Sequence, residues 1–173
     1  MYGRRTNRVH SPTRAALVPY VSVMLGSVLP TYFIFSTAPL MPPLGFMILI
    51  AWRITRPRFF PLWIGVPLGA FDDLFSGQPF GSAILLWSLS MLVLEIVEAR
   101  FPWRGFWQDW LAASLAILAY LLLALPLSGV TPNTYMLFAT LPQILLSILL
   151  YPLIVLFVLK LDRFRLRRIK EIY

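Results

Sequence analysis

The sequence predicts an all-α integral membrane protein of about six transmembrane helices. Three observations carry this. The chain is 59% hydrophobic and only 13% charged, whereas a soluble domain is closer to half apolar and a quarter charged. Long apolar runs recur between short polar connections, and mean hydropathy is +0.77. All fifteen Lys and Arg fall in alternate connections, as the positive-inside rule requires of an even number of spans with both termini cytoplasmic.

The apolar runs, in order, are Ala15–Phe35, Leu40–Trp52, Phe59–Phe75, Phe80–Val97, Trp110–Leu127 and Tyr135–Leu159. The first follows a basic start and could be mistaken for a signal peptide. It is longer than the roughly 7–15-residue apolar core of such a leader, so it reads as a retained span. The second is short against the roughly 20 residues of a full crossing. It follows Pro39 and is interrupted by Pro42-Pro43, and a tilted, interfacial or re-entrant segment fits its length. The third carries Pro61 and Pro67, and the last carries Pro142 and Pro152.

The connections test the count. Basic residues lie before the first span (Arg4, Arg5, Arg8, Arg14), after the second (Arg53, Arg56, Arg58), after the fourth (Arg100, Arg104) and from Lys160 onward. The connections near Ser36–Pro39, Ser76–Pro79 and Ser128–Thr134 carry none. One missing or extra span would break the alternation. The expected organisation is therefore a basic cytoplasmic tail over 1–14, a six-span membrane domain over 15–159 and a basic amphipathic cytoplasmic tail over 160–173. Trp52, Trp63, Trp103, Trp107 and Trp110 fall near the cytoplasmic interface in this scheme, a level that suits amphipathic rings.

Net charge is +8. In a soluble protein that balance would point to nucleic acid. Here the cations flank apolar runs and read as topology signals and headgroup contacts, with no nucleic-acid partner. In the tail, Lys160, Arg163, Arg165, Arg167, Arg168 and Lys170 are the candidate lipid-surface contacts. Cysteine is absent and His10 is the lone histidine, so neither a disulfide framework nor a structural zinc site is expected. No metal or cofactor is expected.

Function concentrates at the end of the third run. Asp72 and Asp73 sit beside the turn Ser76-Gly77-Gln78-Pro79, and carboxylates at the edge of a span are candidate functional groups. Gly65, Gly69, Asp72 and Ser76 share one helical face. The glycines form a small-xxx-small pair that lets another helix approach closely. That seam serves either a partner helix or packing within the chain. Asp73 falls off the face, and geometry alone does not choose between the acids. For capping the fourth span, Ser76 or Gly77 is better placed. Glu95 and Glu98 lie one turn apart and read as structural partners of Arg100 or Arg104. Gln143 reads as a hydrogen bond between helices.

Phosphate loops and hydrolase or zinc-protease motifs do not occur. Two neighbouring acids on one helix also do not make an aspartic dyad, which needs facing carboxylates. A non-enzymatic protein is expected, with a lipid-modifying enzyme the weakest reading.

The stretch Gly69-Ala-Phe-Asp72-Asp73-Leu-Phe-Ser76-Gly77-Gln-Pro79-Phe-Gly81 resembles the G-x-x-x-D-x-x-S-G-x-P-x-G pattern of the bacterial rod shape-determining MreD family. Asp73 stands in the family's acidic position, Asp72 is an addition, and the two acids share the role as candidates. Chain size, the six runs and the prolines before Trp63 fit as well. The resemblance implies a scaffold of the cell-elongation machinery in the inner membrane, partnering MreC. Through MreC it would reach MreB, a RodA-type glycosyltransferase and a class B transpeptidase. It implies a fold similar to the substrate-binding subunits of energy-coupling-factor transporters. A vitamin-type transporter subunit is therefore the alternative reading. Gly65, Gly69, Asp72, Asp73, Ser76, Gly77, Pro79 and Gly81 are the candidate partner-binding or structural motif.

Overall fold

A twelve-residue helix with no polar face lies at the centre of the molecule. Its sequence, LGFMILIAWRIT, is apolar all round as far as Trp52, and a helix of that kind has no side to offer water. Residues 45–53 are all buried. The computed structural model describes residues 8–9, 12–32, 41–57, 59–100, 105–129, 134–166 and 169–170.

Among the described residues there are six α-helices. They are α1 (Pro12–Tyr32), α2 (Leu44–Thr55), α3 (Gly65–Asp73), α4 (Ser82–Arg100), α5 (Phe106–Leu127) and α6 (Thr134–Arg165). A 3-10 turn, Leu62–Ile64, leads directly into α3. Two-residue strands β1 (Arg8–Val9) and β2 (Ile169–Lys170) pair antiparallel, with Arg8 opposite Lys170, and so tie the two ends of the chain together.

The central helix is α2, packed by α1, α4, α5 and α6, while α3 packs on α4 and α1. Three segments are long and apolar enough to cross a membrane: Ser82–Arg100, Phe106–Leu127 and Met136–Arg165. Ala16–Tyr32 and Leu44–Thr55 are shorter apolar helices. At 1.5 Å per residue α2 is roughly 18 Å long, against a hydrocarbon core of about 30 Å. Its shortness reflects a central position: Pro43 stands at its N-cap, and neighbouring helices cover it on all sides. The third run likewise yields a helix of only nine residues.

The core gathers around α2. Phe46 stacks on Tyr120 of α5 at 4.3 Å between ring centroids and tilts against Trp87 of α4 at 6.0 Å. Trp52 is fully buried and its Nε1 donates to Ser22 Oγ of α1 at 2.9 Å. Trp52 is therefore a core residue, which corrects the expected headgroup position. Trp63 and Trp107 are exposed, Trp110 is half-buried with its Nε1 donating to the Ile148 carbonyl at 3.2 Å, and Trp103 lies outside the described residues. Outward faces carry large apolar side chains, among them Leu85, Leu115, Leu145 and Leu149, the surface a lipid-facing helix needs. Between α4 and α5 runs an apolar groove of about 800 Å³, with Ala112, Ala116 and Ala119 on its α5 wall.

The basic connections gather at one end of the bundle. Arg53, at the end of α2, is 2% exposed and pairs with both Glu95 and Glu98 of α4. Glu95 and Glu98 thus take a partner from α2 that the sequence reading did not name; Arg104, one of the two partners expected for them, lies outside the described residues. Arg56 donates to Asp162 Oδ2 at 2.5 and 3.0 Å, and Arg165 Nε donates to Asp162 Oδ1 at 2.7 Å. The Arg165 guanidinium also lies over the rings of Phe59 and Trp52, at 4.5 and 5.2 Å. Arg165 is buried, so it is a clamp between α6 and α2, in place of the expected lipid contact. Lys160 and Arg163 are exposed. Arg167 and Arg168 lie outside the described residues, and Lys170 falls in β2.

Candidate functional site

The opposite end is built on the turn between α3 and α4. Helix α3 stops after Asp73, and the amides of Phe75 and Ser76 both close on the Asp72 carbonyl at 2.9 and 2.8 Å. The chain then reverses through Gly77 and Gly81, at φ of 68° and 103°. A side chain at either position would be strained there. Pro79 offers its carbonyl to the Ser82 amide at 3.1 Å, and α4 begins.

This reversal lays the start of α4 over Asp73. Its carboxylate accepts from the amides of Gly81 and Ala83, both at 2.8 Å, and of Ile84 at 3.3 Å. Ser82 Oγ lies 3.2 Å from Asp73 Oδ1 and 3.2 Å from Gln78 Oε1; its one proton serves either acceptor. The first amides of any helix lack partners inside it, and its positive end favours a nearby anion. Asp73 supplies both needs from the preceding helix. It is the cap of α4, a role expected of Ser76 or Gly77; Ser76 is instead turned outward and exposed. What the carboxylate does chemically is hold a turn, with its charge met by backbone dipoles.

Asp72, one residue earlier, turns away. It is 8% exposed and faces Ser27 of α1 and Tyr120 of α5. The two acids thus serve different neighbours.

The glycine seam is occupied by the chain itself. A Cβ on Gly69 would lie 2.7–2.8 Å from the backbone of Ala83 and Ile84, and one on Gly65 would lie 2.8 Å from the backbone of Ser88. Of the two uses expected for Gly65 and Gly69, packing within the chain is the one observed: the α4 backbone lies in the seam. Gln143 Nε2 donates to the Met41 carbonyl at 2.5 Å, so it ties α6 to the segment before α2, where a bond between two helices was expected. Sequence reading missed Arg53, Asp162 and the Ser27–Trp87–Tyr120 group. An arginine directly after an apolar run and an acid at the start of a basic tail were the available signals for the first two.

Residues 15–165 match the family model of the rod shape-determining protein MreD. The chain belongs to this family. No curated protein and no solved structure matches it. Within an MreD-family protein the acidic motif of the third apolar run now has a physical task, namely joining α3 to α4 through one carboxylate, two glycines and a proline. Membership carries with it a role in rod-shape determination at the membrane.

Proposed function

We propose that this protein is a non-enzymatic scaffold of the bacterial inner membrane, serving the complex that builds lateral peptidoglycan and keeps cells rod-shaped. Its direct partner is MreC, and through MreC it meets MreB, a RodA-type glycosyltransferase and a class B transpeptidase. The observation that carries this reading is the family match over residues 15–165. Orientation follows from charge: the basic connections face the cytoplasm, both termini with them, and the Asp73 turn faces outward. In this scheme the cap holds Leu74, Phe75 and Phe80, all exposed, as a fixed apolar rim at the outer end of the bundle. That rim, in place of the filled glycine seam, is the contact for MreC.

The test is purification of the tagged protein from native membranes in mild detergent, with copurifying proteins identified by mass. MreC and wall-synthesis enzymes are the expected companions, and Phe80→Glu should reduce MreC recovery at unchanged membrane insertion. Recovery of transporter ATPases with a bound small molecule would overturn the scaffold reading in favour of a transporter subunit.

A further inference from the structure

The groove between α4 and α5 runs along most of the bundle. Its walls extend from Leu86 to Glu98 on α4 and from Gln108 to Leu123 on α5. At 1.5 Å per residue these walls are roughly 18 and 22 Å long, against about 15 Å for half of the hydrocarbon core. One occupant filling the groove therefore crosses the bilayer midplane.

The walls are apolar for most of that length. Ser90 turns its hydroxyl onto the Leu86 carbonyl at 2.7 Å, so it adds little polarity. Ala112, Ala116 and Ala119 of the α5 wall are spaced i, i+4 and i+7 and share one helical face. Small side chains of this kind let another helix approach closely. The outward faces differ, with large side chains such as Leu145 and Leu149 on α6. Polarity gathers at one end of the groove. Glu98, Gln108 and Asp109 line it where α4 finishes and α5 begins, and among the described residues no Lys or Arg lines it. At this end one cation, Arg53, is shared between Glu95 and Glu98.

We propose that the groove seats the transmembrane helix of a single-span partner whose Lys or Arg residues lie at its cytoplasmic end. Length calls for a spanning segment. The alanine wall calls for a helix. The acidic end calls for a cation, and the positive-inside rule puts Lys and Arg at the cytoplasmic end of a spanning helix. A phospholipid matches neither end: its chains reach only the midplane, and its phosphate would lie against Glu98 and Asp109. The site is distinct from the outer rim. It rests on the orientation assigned above and not on the scaffold reading.

The test places p-benzoylphenylalanine at Leu115, on the groove wall, and at Leu149, on the outward face of α6, in the full chain in native membranes. Irradiation at 115 is expected to capture one protein, identified by mass, with a single apolar span and Lys or Arg at its cytoplasmic end. Position 149 should give no such adduct. Ala119→Leu narrows the groove from an exposed position and should abolish the adduct at unchanged membrane insertion. Asp109→Asn should weaken it. Adducts with lipid alone, with a second copy of this chain, or with a protein lacking that basic flank would overturn the proposal. So would full yield in Ala119→Leu, and full yield in Asp109→Asn would overturn the choice of a cation-bearing partner. Cysteine labelling at Ser76 and Arg163 reads the orientation separately, which tells an inverted topology from a wrong occupant.

Discussion

The two ends of the bundle each enclose a charge, and they satisfy it by different means. At the turn end Asp73, 6% exposed, is met by backbone amides eight to eleven residues further along the chain. At the basic end Arg53, 2% exposed, is met by carboxylates on α4 some forty residues away. The first arrangement is local and made mostly of dipoles. It needs no counter-charge, only a turn of fixed shape. The second is made of full charges from distant segments and depends on the whole bundle being assembled. An enclosed charge met by local dipoles can therefore mark a motif, whereas one met by distant charges leaves little trace in the sequence around it.

Six substitutions would break or sharpen that contrast. The largest effect is expected for sidedness. Ser76→Cys should react with an impermeant thiol reagent in spheroplasts and Arg163→Cys should not; reaction at Arg163 would place both ends on one side. Next is Gly69→Ala, whose new Cβ meets backbone, which cannot swing aside. Overpacking of that kind costs about 3 kcal/mol, and a fall in Tm of many degrees in detergent is expected. Asp73→Ala follows, at about 2–3 kcal/mol, from a lost cap and stranded buried amides. Asp73→Asn keeps one acceptor oxygen and should lose about half as much. Smallest is Glu95→Gln, on a side chain 47% exposed. Its pair with Arg53 is backed by Glu98, and a cost under about 1 kcal/mol is expected. A Glu95→Gln loss as large as that of Asp73→Ala would erase the distinction between the ends.

Hydropathy and charge alternation are local properties, which is why the apolar runs and the clustering of basic connections at one end were legible from residues alone. The place of α2 was not. A short run of apolar residues looks like an incomplete crossing until its neighbours are known, and its lack of any polar face is the sign of a central helix. The motif was legible as a motif, but the split between the acids was not. Helical phase put Asp72 with the glycines. The reversal at Gly77 and Gly81, which brings α4 back over Asp73, is a property of the turn in three dimensions. Glu95 and Glu98 were read against nearby Arg100 and Arg104, because sequence distance was the only distance available. The fold adds Arg53, from another helix. Trp52 was read as an interfacial ring for the same reason: Ser22, which takes its N–H, lies on another helix.

The most direct measurement is amide hydrogen exchange across residues 80–86 in detergent or nanodiscs, comparing the unmodified protein with Asp73→Ala and Asp72→Ala. If Asp73 is the cap of α4, the Gly81 and Ala83 amides exchange at least tenfold faster in Asp73→Ala, a loss of about 1.4 kcal/mol of protection. They should be nearly unchanged in Asp72→Ala, and segments at the basic end should keep their rates. Equal exchange in the unmodified protein and Asp73→Ala would contradict the cap, and with it the physical task assigned to the motif.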